Sequence, residues 1–445
     1  MWFDESVFYQ IYPLGFCGAE GENDFGEVRH RLDKIEKKID ELKKLGVGAI
    51  LFNPLFESER HGYDTVDFFK VDRRLGTNEE FKSLVEKLHK AGIKVVLDGV
   101  FNHVGRKFFA FQEVLEKREG TDYRFWFNID FCGNSSYGDG LGYKCWEGHQ
   151  ELVSLRLEHP DCLNYVTDAV KFWIREFGID GLRLDVCYML PEWFMRHLRN
   201  IVNAERPNGD FFLVGEVIHC QNFAQHVCPE KLNSITGYEC YKGLVSSINT
   251  NNLFEIEYSL SRLFSDVSWA LFPKKNLLNF ADNHDVSRAY TALDVGNAKK
   301  NIFNLYSILF TMPGIPCLYY GSEYAAEGNK SEGDASLRLT FEETLERADK
   351  AVSEKLYRHI ETLCKIRHAN SVLSYGGYRK RILSNRHMVI ERFLDGKRIC
   401  LAVNIDENEV RLNLENAVGR ELLTGDTVNA NELVLAPFSA KIIEF

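Results

Sequence analysis

The chain has no apolar run long enough to cross a membrane, so no transmembrane span is expected. Its first residues, Met1-Trp2-Phe3-Asp4-Glu5, carry neither a basic segment nor an apolar core, and no secretory leader is expected. Positive charge is in deficit: 54 Lys and Arg face 65 Asp and Glu, a net charge of -11. That argues against a nucleic-acid partner or an anionic membrane surface, each of which needs a basic face. There is no CxxC pair, and the 11 cysteines are odd in number, so complete internal pairing and a zinc site are both disfavoured. Scattered unpaired thiols in a chain without a leader point to the cytoplasm.

What is present is an ordinary globular composition, 45% hydrophobic and 27% charged, over 445 residues. That length suits one large domain with a smaller one. Near the N-terminus, Val7-Phe8-Tyr9-Gln10-Ile11-Tyr12-Pro13 reads as a strand. Apolar residues at Val28, Leu32, Ile35, Ile39 and Leu42 predict an amphipathic helix over 27–45, stopped by Gly46. Ala49-Ile50-Leu51-Phe52-Asn53-Pro54 is a buried strand by composition, Thr77-Asn78-Glu79-Glu80 a capping box, and Lys94-Val95-Val96-Leu97-Asp98 the next strand. Strands alternating with helices imply a parallel sheet with crossovers.

The alternation breaks over 103–159, a Gly-, Asn- and aromatic-rich stretch read as an inserted subdomain. Within it Trp126, Tyr143 and Trp146 are expected to pack its small core, the alternative being that they line additional sugar sites. Alternation resumes with a helix through Leu163, Val166, Val170, Trp173 and Phe177, and continues to about residue 370, with the stretch 234–264 hard to divide. About eight strand–helix units fit, so the expected architecture is an α/β chain with a (β/α)8 barrel over 1–102 and 160–370. After 371, short alternating runs split by turns such as Asp395-Gly396 predict a C-terminal antiparallel β-sandwich, 371–445.

In a barrel of parallel strands, the C-terminal strand ends share one mouth. Five segments place chemistry there: Tyr63 with Asp64; Asp98 with Asn102 and His103; Arg183 with Asp185; Glu216; and His284 with Asp285. Converging carboxylates repel, which stability alone does not explain. Glycosidic hydrolysis uses such a pair, one carboxylate ionised and one carboxyl protonated, about 5 Å apart when configuration is retained. Arg183, two residues before Asp185 on the same strand face, is expected to favour ionised Asp185. Glu216, facing the charges of Asp185 and Asp285, is expected to stay protonated. Cys187 has no readable activating partner and is assigned to packing.

The segments Asp98-Gly99-Val100-Phe101-Asn102-His103, Gly181-Leu182-Arg183-Leu184-Asp185, Gly215-Glu216-Val217 and Phe280-Ala281-Asp282-Asn283-His284-Asp285 resemble the four signature regions of the α-amylase superfamily of glycoside hydrolases. The resemblance spans nearly the whole chain. It implies Asp185 as nucleophile, Glu216 as general acid and then base, and Asp285 as the group that holds sugar hydroxyls and stabilises the transition state. It further implies His103 and His284 as hydroxyl donors, Arg183 as the group that orients Asp185, Asp98 as the support for Arg183, and Tyr63 as an aromatic platform. Asp334 and Arg338, four apart after the last strand, are similar to a pair that grips the next sugar in some relatives.

Departures are also visible. Tyr188 and Met189 stand where many relatives carry Lys and His, and Leu155-Arg156 replaces a frequent Leu-Asn. The family's calcium often uses the residue at Asn102, but no metal or other cofactor is expected here. The resemblance thus implies hydrolysis of α-1,4 bonds in malto-oligosaccharides. A glucanotransferase, an α-1,6-acting oligoglucosidase and a non-catalytic sugar-binding homologue are the alternatives. Oligomeric state is not legible.

Overall fold

A computed structural model describes residues 1–415 and 417–445. Eight short strands make one parallel sheet: β1 Phe8–Ile11, β2 Ala49–Phe52, β3 Lys94–Gly99, β4 Gly181–Leu184, β5 Phe212–Gly215, β6 Ser234–Ile235, β7 Leu278–Phe280 and β8 Ile315–Tyr319. Each is hydrogen-bonded to its neighbours in chain order, and β8 returns to β1. The sheet closes where Thr236 bridges Leu278 in parallel and the Gly237 N–H donates to the Leu278 carbonyl at 2.8 Å. The result is the expected (β/α)8 barrel.

Period-two alternation divides each strand between two environments. Tyr9, Ile50, Val95, Leu97, Leu182, Leu184 and Leu213 face the surrounding helices. Phe8, Ala49, Leu51, Val96, Phe212, Val214, Leu278, Phe280, Ile315 and Cys317 fill the barrel's interior. Each fully buried large side chain contributes about 1.5–3 kcal/mol. Toward the C-terminal strand ends the inward positions turn polar: Gln10, Asn53, Asp98, Arg183, Asp185 and Glu216, all buried. Closure leaves no sheet edge, so these groups can meet only one another or a ligand entering from above.

The crossover helices follow the sequence pattern closely where it is strong. Thr77 caps Asn78–Lys90 with a complete capping box. Pro160–Phe172 runs on as a π-helical turn to Phe177 and ends at Gly178 in the left-handed region, φ +70°. Two expectations are corrected. Over 27–45 only Asp33–Glu36 and Ile39–Leu45 are helical, and Val28 is exposed. Between β5 and β6 no α-helix forms, only the 3-10 turns Cys220–His226, whereas β6 is followed by two helices, Tyr238–Asn249 and Phe254–Phe264.

The insertion after β3 carries its own helix, Phe109–Lys117, and a small antiparallel sheet of His103–Gly105, His149–Ser154 and Cys145–Trp146. Trp126 and Tyr143 pack inside it, as expected. Trp146 does not: it faces the barrel mouth. At the C-terminal end, a six-stranded antiparallel sheet lays one face, with Met388, Ile390 and Leu401, on the helices around the barrel. The other face, with Val389, Cys400 and Ala402, is covered by the pair Val410–Leu412 and Leu433–Leu435. All eleven cysteines are free.

Candidate active site

Above the polar layer lies a cleft of about 380 Å³, lined on its floor by Asp185, Glu216 and Asp285 and on its walls by Tyr63, His103, Asp334 and Arg338. A larger hollow of about 800 Å³ on the insertion, between Phe125, Phe131 and Tyr143, receives none of the strand-end residues.

Arg183 is the hub of the floor. Register sets Arg183 beside Asp98 on β3 and Val214 on β5. Its Nη1 donates to both Asp98 oxygens at 2.7 and 2.5 Å and to Asp185 Oδ1 at 3.3 Å. Its Nη2 lies 2.8 Å from Glu216 Oε1. One buried cation therefore meets three buried carboxyl groups, and at full ionisation the site would hold a large uncompensated negative charge. Burial pushes Asp185 well above the usual carboxylate range, and the charge of Glu216 adds to it; Arg183 opposes both. Burial raises Glu216 too, with Arg183 pulling it down and Asp285 pushing it up. The two carboxyl groups share one guanidinium, and burial resists the ionisation of both.

The i, i+2 spacing of Arg183 and Asp185 brings the guanidinium to Asp185, at 3.3 Å. That spacing puts both on one face but does not say which other carboxylate the guanidinium reaches. It lies closer to Glu216, whose second oxygen accepts from the Val186 N–H at 2.9 Å. Val186 holds its N–H there in the left-handed region, φ +38°, a costly conformation for a β-branched residue.

Asp285 behaves oppositely. Burial alone would raise it, but His284 and Arg338 outweigh that and hold it at about 2. Its oxygens lie 3.0 Å from His284 Nε2 and 2.8 Å from Arg338 Nη2. His284 is fully buried and its pKa is pushed down to about 3 by that burial, so the ring is neutral. Gln10 Nε2 sits 3.0 Å from its Nδ1, which assigns the proton to Nε2, toward Asp285 and the Tyr63 hydroxyl at 2.5 Å. The ring lies parallel to Tyr63 and Tyr12, centroids 5.8 and 6.1 Å away. Asn53 donates to Tyr63 and Asp98, both at 3.1 Å.

Asn53, Gln10 and Tyr12 were missed in the sequence. Asn53 and Gln10 were findable by the same strand-end logic, but amides carry no charge to flag them. His103 lines the cleft with its Nε2 buried and unpartnered, and Asn102 lies 3.1 Å from its Nδ1. Asp334 pairs with Arg338 at 3.0 Å and with Lys330 on the rim. Asp64 is not a cleft residue. It is buried under the loop, where the His61 N–H donates to it at 3.2 Å. Cys187 is buried against Met195, and burial pushes its thiol up, in keeping with packing.

Asn102 faces away from the cleft, into a hollow shared with Lys144, Arg156, Ser154 and Glu158. A hard cation takes six to eight oxygen ligands. Two cationic side chains and one carboxylate do not fit calcium there. Among the described residues no group of three or more His, Cys, Asp or Glu side chains could hold a metal ion.

A (β/α)8 barrel whose mouth gathers Asp185, Glu216 and Asp285 on the floor of one cleft has the paired carboxyl groups of a glycoside hydrolase. The family model for the α-amylase catalytic domain matches residues 10–353, and the chain belongs to that family of glycoside hydrolases. It is 30% identical over 396 residues to a cyclomaltodextrinase from a Bacillus species, covering 85% of this chain and 68% of that protein. It is 28% identical over 484 residues to neopullulanase 2 of Thermoactinomyces vulgaris, covering 99% of this chain and 78% of that one. A solved structure described as a cyclomaltodextrinase, 28% identical, matches with a TM-score of 0.85 over 100% of this chain and 78% of its own.

Proposed function

We propose that the protein hydrolyses α-1,4-glucosidic bonds of malto-oligosaccharides and short maltodextrins, with retention, through a covalent glycosyl-enzyme. The observation that carries the reading is the Arg183 guanidinium gathering Asp185 and Glu216 at the cleft floor, with Asp285 ionised beside them. Two carboxyls within reach of one planar group suit the close spacing of a retaining enzyme.

Asp185 attacks the anomeric carbon while Glu216 gives its proton to the departing oxygen. Glu216 then takes a proton from the water that releases the sugar. This requires Glu216 to carry the proton while Asp185, held by Arg183, is ionised. Asp285, fixed as an anion, accepts hydroxyl hydrogens and faces the developing positive charge on the ring. His284 Nε2–H and the free His103 Nε2 act on hydroxyls, and Tyr63 presents its ring beneath the sugar. Asp334 and Arg338 would hold the following sugar.

The names of the relatives favour linear and cyclic maltodextrins as the substrate class. Eleven free cysteines favour a reducing compartment, the cytoplasm. Reaction with 5-fluoro-α-glucosyl fluoride followed by peptide mass mapping should place a glycosyl adduct on Asp185. An adduct elsewhere, or a first product of inverted configuration by NMR, refutes the reading.

A further inference from the structure

The inserted hairpin of Cys145–Trp146 and His149–Ser154 turns at Glu147-Gly148, whose φ values are +45° and +90°. Its tip overhangs the cleft. Trp146 lines the wall, its ring 6.0 Å from His103 and stacked 5.2 Å from His149. The indole N–H is buried and lies against the Tyr188 hydroxyl. Among the described residues one side-chain hydrogen bond ties this tip to the opposite rim: the Tyr188 hydroxyl donates to Glu147 Oε1 at 3.0 Å.

In the cleft Asp285, His284, Tyr63 and Arg338 form one linked group, and Tyr188 and Ile218 line the wall near Glu216. Under the reading given above, the acid stands on the side of the bond from which the sugar departs. The far side of Glu216, under Trp146 and beside Tyr188, is then the place of the departing sugar.

We propose that Tyr188 is a positioning residue for the leaving group: its hydrogen bond to Glu147 and its contact with the Trp146 indole latch the hairpin so that the Trp146 ring covers the departing sugar. The latch gives the enzyme a preference for leaving groups that are themselves sugars. It rests on the proposed hydrolytic reading, and two substrates separate their fates. Maltotriose expels a sugar, whereas α-glucosyl fluoride expels only fluoride.

In Tyr188→Phe and in Glu147→Ala, the ratio of kcat/KM on maltotriose to kcat/KM on α-glucosyl fluoride should fall about five- to tenfold, the worth of one lost hydrogen bond and its ordered partner. The loss should lie mainly in KM. Glu147→Gln, which keeps the accepting oxygen, should restore the ratio, and the double variant should be no worse than either single one. An unchanged ratio, an equal fall on both substrates or an additive double variant overturns the latch. A parent enzyme inert toward α-glucosyl fluoride overturns the hydrolytic reading beneath it.

Discussion

Replacing Asp98 by Asn removes one negative charge from the buried cluster around Arg183 while keeping the shape and one accepting oxygen. Asp98 touches Arg183 at 2.5 and 2.7 Å, and Glu216 reaches the other nitrogen of the same guanidinium at 2.8 Å. Carboxylates so placed sit on the order of 6 Å apart, which at an effective dielectric of about 20 is worth about 3 kcal/mol, or about two pKa units, as an upper bound. Asp98 is among the groups that raise both Asp185 and Glu216. Losing it lowers the pair, and releasing Arg183 toward the remaining carboxylates lowers it further. Both effects have one sign.

The parent's activity requires one proton on the pair. It fails on the acid side when a second proton binds, and on the alkaline side when the last one leaves. Because the pair is raised, the parent should keep activity to higher pH than an unperturbed glutamate would allow. In Asp98→Asn the whole bell should move to lower pH by about one unit. The assay is kcat/KM on maltotriose between pH 4 and 9, with thermal unfolding as a check on folding. An alkaline limb that stays in place or moves up refutes the electrostatic account, even if the rate falls.

Gly314→Ala should destabilise by about 3 kcal/mol or more. Its φ is +124°, and a Cβ there would lie 2.1 Å from Asn279 Nδ2, which donates to the Pro313 carbonyl inside the barrel wall. A thermal midpoint within a degree of the parent's would refute it. Glu323 is buried, and burial raises its pKa to about 7. A raised carboxyl costs stability as pH climbs from about 4.5, where the unfolded chain ionises, to about 7, where the folded one does. Glu323→Gln should therefore gain on the parent between pH 4.5 and 7 by up to about 3 kcal/mol, measured by denaturant unfolding at both ends. A constant difference would refute that. Arg392 is buried where the C-terminal sheet meets the barrel and donates to the carbonyls of Gly377, Thr311, Leu373 and Gly376 at 2.7 to 3.1 Å. Arg392→Met leaves these acceptors dry and should cost about 4 kcal/mol or more by thermal unfolding; a midpoint near the parent's would refute it.

The barrel was legible where two periodicities agreed. Alternation along Lys94–Gly99 and Phe212–Gly215, separated by helices with capping signals, needs no tertiary knowledge to read. It failed over the β5–β6 connection, because a crossover made of 3-10 turns has no 3.6-residue stripe to detect. It failed again at Val28, where the apolar spacing is helical but the backbone is not.

The acidic site residues were legible for a different reason. A closed barrel cannot hide charge, so Asp98, Asp185 and Glu216 at inward positions had to converge. What alternation does not carry is the register between strands, and that decides electrostatics. Arg183 lies opposite Asp98 because β4 pairs with β3 at that residue, and this pairing turns its second nitrogen toward Glu216. That Arg183 reaches Glu216 as well as Asp185 follows from neighbours in space and not from neighbours in sequence. Trp146 illustrates the same limit for the insertion: its residue type is that of a core, and only the placement of a two-residue turn at Glu147-Gly148 carries it to the cleft. Position along one strand tells which groups are present at a site, while partner choice is a property of pairs of strands. Chemistry that depends on a shared guanidinium, as here, belongs to the second kind.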